Sequence, residues 1–118
     1  MITHCITILG PSGCGKTTLL NLITSNDAPL CHTVAPIQRV CIRENEGNRF
    51  KLRAYEIPGS PKFASISQLY IDIADLVLVC FDLGDYQSFL STIAYINNAQ
   101  IHAKRHALIA LCGLKADE

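Results

Sequence analysis

Residues 10–17 read Gly10-Pro11-Ser12-Gly13-Cys14-Gly15-Lys16-Thr17, the pattern G-x-x-x-x-G-K-[ST] in full. The run before it, ITHCITIL at residues 2–9, is apolar and β-branched and predicts a strand ending at Gly10. After it, Leu19, Leu20, Leu22 and Ile23 recur at helical spacing over residues 15–25, and Asn26-Asp27 with Pro29 close the helix. Strand, glycine-rich turn and helix in this order aim successive backbone N–H groups at an anion, with the positive end of the helix dipole behind them. Side chains would fill that space, so glycine is needed there. The stretch Ser12, Gly13, Cys14, Gly15, Lys16, Thr17 and Thr18 is therefore the candidate nucleotide-binding run. Lys16 is placed to reach the β- and γ-phosphates, and the Thr17 hydroxyl to ligate magnesium. The motif indicates a nucleoside triphosphate and leaves the base open.

Outward from this loop, elements alternate. Val40 and Ile42, then Phe50, Leu52 and Ala54, alternate with Arg39 and Arg43, then Arg49, Lys51 and Arg53, around a Glu-Asn-Glu-Gly-Asn turn. This predicts an antiparallel hairpin with one apolar and one basic face. A short helix is expected over 65–73, presenting Ile66, Leu69, Tyr70 and Ile73. LVLVCF at 76–81 reads as a buried strand, 86–102 as a helix with Phe89, Ile93 and Ile96 on one face, and ALIALC at 107–112 as the last strand. Such alternation specifies one α/β domain over residues 1–118, a mostly parallel sheet with an antiparallel edge.

The 118 residues are 49% hydrophobic and 17% charged, which excludes disorder, and ten basic residues balance ten acidic ones. A nucleic-acid partner held by bulk charge is thereby excluded. No apolar run is long enough for a membrane span, and the N-terminus has no export signal, so a cytoplasmic setting is expected. The six cysteines include no Cys-x-x-Cys pair and fall mostly in apolar runs, as small reduced hydrophobes. Cys14 itself reads as an apolar filler of the loop. The basic hairpin residues read as a solvated face. His102 and His106 lack further metal ligands, and Asp82 and Asp85 read as strand-exit or capping residues.

GPSGCGKTTLLNLI looks like the phosphate loop of ABC-type ATPases, but that resemblance covers only this segment. Over the whole length the chain resembles the Rab/Ras superfamily of small GTPases. Thr33 stands where the switch I threonine should, and Tyr55-Glu56-Ile57-Pro58-Gly59 matches the aromatic-Asp-x-x-Gly entry to switch II. KFASISQLYIDIADLVLVCFD, from Lys62 to Asp82, follows the Rab pattern, as does Ser88-Phe89. LCGLKAD, Leu111 to Asp117, lies over the element Asn-Lys-x-Asp that reads guanine.

The resemblance implies a Ras-like three-layer sandwich with a five-stranded sheet of order 2-3-1-4-5, lacking the family's last strand and helix because the chain stops at Glu118. It implies GTP, GDP and Mg²⁺ as ligands. Catalytic roles fall to Lys16, Thr33, Gly59 and Ser60, and metal ligation to Thr17, Thr33 and Glu56. Lys115 would lie along the base and Asp117 would accept from guanine N1 and N2, which disfavours adenine. Regulators or effectors would engage the switch surface around Phe63–Tyr70, and no C-terminal lipid-anchor motif is present. The bare face left by the short C-terminus implies self-association or an obligate partner. Three departures stand out: Glu56 for the switch II aspartate, Ser60 for the glutamine that orients water, and Leu114 for the asparagine of the guanine element. They imply slow hydrolysis and weakened base recognition. The rival expectations are a non-catalytic scaffold or decoy of the same fold, and an ATP-binding fragment of ABC type.

Overall fold

The computed structural model describes residues 2–25, 32–35, 38–59 and 64–115. The chain runs β1 (Ile2–Leu9), α1 (Lys16–Ser25), β2 (His32–Ala35), β3 (Gln38–Asn45), β4 (Asn48–Glu56), α2 (Ala64–Ile73), β5 (Leu76–Asp82), α3 (Tyr86–His102) and β6 (Leu108–Leu114). One sheet holds the strands in the order β2-β3-β4-β1-β5-β6. Five of these strands are the expected ones in the expected order. The four-residue β2 extends the hairpin edge by a sixth, pairing antiparallel with β3. β4, β1, β5 and β6 run parallel, so their C-terminal ends lie along one rim of the sheet.

Helix α1 packs on one face, where Ile8, Cys14, Leu20, Ala54 and Cys80 form a core. Helices α2 and α3 cover the other, around Leu9, Tyr55, Ile57, Ile71, Val77, Val79 and Ala99. The continuous apolar run of β5 is what a strand buried on both faces requires: Val77 and Val79 face one core, Leu78 and Cys80 the other. The five described cysteines are all free thiols.

The hairpin differs from expectation in the phase of its two strands. Its turn is tight: Glu46 and Gly47 both have positive φ (52° and 81°), the backbone of a two-residue type I′ loop. That turn sets Cys41 opposite Leu52 and Arg39 opposite Ala54, while Val40 and Ile42 face Arg53 and Lys51. Cys41, fully buried, points toward α1 beside Leu52 and Ala54. Basic and apolar residues are therefore mixed on both faces, and no single basic face exists among them.

The helix faces differ too. In α3 the buried residues are Ser88, Thr92 and Ala99, small enough to bring the helix close to the sheet; Ile96 packs half-buried on the core as expected, beside Tyr95, whereas Phe89 and Ile93 are 41% and 60% exposed. In α2, Ile71 is buried and Tyr70 packs on Tyr55 with ring centroids 4.5 Å apart, while Ile66, Leu69 and Ile73 face outward.

Candidate functional site

The loop between β1 and α1 is assembled at the C-terminal rim, where ligands of parallel α/β sheets bind. β4 continues along β1 beyond its own end, because Ile57 N–H donates to the Ile8 carbonyl at 3.0 Å. This delivers Pro58 and Gly59 to the loop. A Cβ on Gly59 would lie 2.6 Å from the Ser12 nitrogen and 3.0 Å from the Gly10 carbonyl oxygen, so only glycine permits this approach. On the other side, Leu83 N–H donates to the Leu114 carbonyl at 2.9 Å and keeps the end of β6 against β5.

These contacts border an open-sided cavity of about 410 Å³. Ser12, Gly13, Gly15, Lys16, Thr17 and Thr18 line it from the loop and α1, Glu56 from the end of β4, Pro58 and Gly59 from the segment after it, and Lys115 from just past β6. Residues from positions 12 to 115, singled out from sequence, thus converge on one space. Lys16 is 5% exposed, and its Nζ donates to the carbonyls of Gly10 and Pro11 at 2.8 Å each. Both acceptors are backbone carbonyls of the loop, and they direct the ammonium along it. Lys115 Nζ donates to the Gly13 carbonyl at 2.7 Å and lies 3.5 Å from Asp82 Oδ2.

Cys14 offers its backbone alone. Its side chain is 1% exposed in the α1-side core, and burial pushes the thiol up from its ordinary pKa against the opposing pull of Lys16. It remains a protonated filler, as does Cys80, which burial pushes up to about 12. Leu114 packs into the α1-side core, and its Cδ1 lies 3.4 Å from where a Gly15 Cβ would be.

Glu56 and Thr17 bring a carboxylate and a hydroxyl to the same cavity. No cluster of three acidic, histidine or cysteine ligands exists among the described residues. That donor set fits magnesium, which takes one or two protein oxygens and completes its shell with phosphate and water. Thr33 lies in β2 opposite Arg39. Ser60 and Asp117 lie outside the described residues.

Sequence reasoning missed a further residue here, Asp82. Its position at a strand exit suggested solvation, and only the pairing of β5 with β6 sets it beside Lys115. Asp85 does cap α3, accepting from the N–H groups of Gln87 and Ser88. Among the described residues no helix is long and apolar enough to cross a membrane.

The profile of the Ras family matches residues 5–118. Ras-related protein Rab-18 of Lymnaea stagnalis is 30% identical over 115 residues, covering 95% of this chain and 57% of the relative. Ras-related protein Rab-27A of Rattus norvegicus is 33% identical over 122 residues (92% and 55%), and Rab-37 of Mus musculus 29% over 119 (98% and 53%). The chain spans about half the length of these relatives.

Proposed function

The chain belongs to the Ras family of small GTPases, and from that premise we propose that it is a Rab-like switch that binds GTP and GDP with magnesium and hydrolyses GTP slowly. The observation that supports this most is the meeting of Lys16, Thr17, Glu56, Gly59 and Lys115 on one cavity at the strand ends. Backbone N–H groups of the loop and the Lys16 ammonium bind the phosphates and offset charge that develops on transfer. When bound, magnesium supplies neutralisation of the phosphate oxygens, held by Thr17, Glu56 and Thr33. The N–H of Gly59 donates to the γ-phosphate and couples it to switch II. Lys115 and Asp117 bind the base side.

Phosphoryl transfer of this kind depends on positioning, and Ser60 is too short to orient water as glutamine does. The slow rate follows from that. Trafficking regulation in the cytoplasm, with regulators or effectors at the switch surface around residues 63–70, completes the reading. Self-association through β6 belongs to it as well: this edge strand carries no charge, and Leu108 and Leu111 are 69% and 49% exposed. A monomer by light scattering at micromolar concentration excludes that part. A second reading, a non-cycling scaffold, draws on the packing of Leu114 in place of a base contact.

The deciding experiment measures magnesium-dependent affinity for GTP, GDP and ATP on nucleotide-stripped protein, with Lys16→Ala as control. Guanine nucleotides are expected to bind at least about tenfold more tightly than ATP, and the variant to lose binding. Equal affinity for ATP and GTP overturns the base assignment. Absence of binding favours the scaffold.

A further inference from the structure

Asp82 and Lys115 leave adjacent parallel strands beside the phosphate loop. Asp82 is itself held rigidly. Its Oδ1 accepts from Gly84 N–H at 2.8 Å, and its N–H donates to Ser88 Oγ at 2.8 Å, a hydroxyl that in turn donates to the Asp85 carbonyl at 2.7 Å. Lys115 has φ of +64°, a backbone conformation that non-glycine residues seldom adopt. Its side chain spans the gap between the Gly13 carbonyl and the Asp82 carboxylate. The carboxylate is 19% exposed, so screening by water is partial.

Asp82 does not line the nucleotide cavity. It lines a second one of about 200 Å³ behind the loop, with Ser12 and Gly13 as the shared wall. It therefore acts on a ligand through Lys115 rather than by contact. Two ammonium groups flank the loop, Lys16 on the carbonyls of Gly10 and Pro11 and Lys115 on that of Gly13. A fixed carboxylate behind Lys115 counters its charge and sets its direction before any nucleotide arrives.

We propose that Asp82 is a positioning residue that holds Lys115 across Gly13, so that the nucleoside side of the site is preformed while the cationic charge at the phosphate side is moderated. This rests on the nucleotide-binding reading above. The two effects have opposite signs for different ligands. Without the carboxylate, Lys115 is less well placed for a nucleoside, but the loop is more positive toward a bare polyphosphate.

The test is Asp82→Asn in the full chain, since asparagine keeps an oxygen for Gly84 N–H. Affinities for GTP and for inorganic tripolyphosphate, both with magnesium, are compared in the two proteins. The ratio of GTP to tripolyphosphate affinity is expected to fall about three- to fivefold, with tripolyphosphate binding unchanged or tighter. Parallel loss for both ligands indicates a purely structural role and overturns the proposal, as does an unchanged ratio. If the wild-type chain binds neither ligand, the nucleotide reading fails on its own account. The hold on Lys115 is then decided without ligand: amide hydrogen exchange at Gly13, Cys14 and Gly15 is expected to quicken in Asp82→Asn, and unchanged exchange overturns it.

Discussion

Lys115 Nζ donates to the Gly13 carbonyl at 2.7 Å across 102 residues of sequence. The contact joins the end of β6 to the phosphate loop, so the two halves of the site share one wall.

Gly59→Ala should both destabilise the fold and weaken nucleotide binding. The added methyl meets the Ser12 nitrogen at 2.6 Å, and that neighbour is backbone with no rotamer to change. A cost of about 1–3 kcal/mol is expected from such overpacking, read as a shifted urea midpoint. Titration with GTP should show the accompanying loss of affinity; full retention of both quantities argues against this close approach.

Leu114→Asn should trade stability for selectivity. It takes a half-buried side chain out of the α1-side core and puts an amide against Gly15. Stability is expected to drop by about 1–3 kcal/mol in urea. The preference for GTP over ATP is expected to rise, measured by competition on stripped protein.

Ser60→Gln should speed single-turnover GTP hydrolysis, by about tenfold or more, by restoring a side chain long enough to orient water. Nucleotide affinity should change little, which separates this effect from tighter binding. An unchanged rate counts against assigning position 60 to water orientation.

Asp75 gives the fold a pH dependence of known sign. Lys104 Nζ lies 2.7 Å from its carboxylate and, with the Cys5 N–H, holds the carboxyl below the usual carboxylate range. A depressed folded-state pKa means a contribution present above the unfolded value and lost as pH falls through the folded one. Lys104 is shifted upward chiefly by Asp75, so its share is present below the unfolded lysine value and lost as pH rises past the folded one. The pair thus acts between about pH 4 and about pH 10. Both groups are well exposed, so the effect is small. Urea midpoints against pH should fall below about pH 4 in the wild type, and Asp75→Asn should flatten that part of the curve.

Much of the site was legible because its geometry is local. Strand, loop and helix around residues 10–17 are contiguous, and the positive φ of Gly10, Gly13 and Gly15 falls at the glycines of the motif. Spacing along the chain likewise placed β5, β6 and α3 to within a few residues. The hairpin faces were not legible in the same way. A one-residue change of phase reverses every side chain of a strand, and Cys41 is less conspicuous than Val40 or Ile42 although it is the one buried against α1. The helices were legible in part: Tyr70 and Ile96 pack on the core as expected, but the closest approach of α3 to the sheet is made by small residues such as Ser88 and Ala99, which hydrophobic spacing does not mark.

The sequence by itself determined the phosphate loop, the order of the elements and hence the parallel sheet, because hydrophobic period and turn chemistry act between near neighbours. The tertiary structure alone decided that Gly59 lies on the loop, that Leu114 covers Gly15, and that Asp82 stands behind Lys115. Each of these joins residues from different strands, and strand register, which no local pattern encodes, sets their distance.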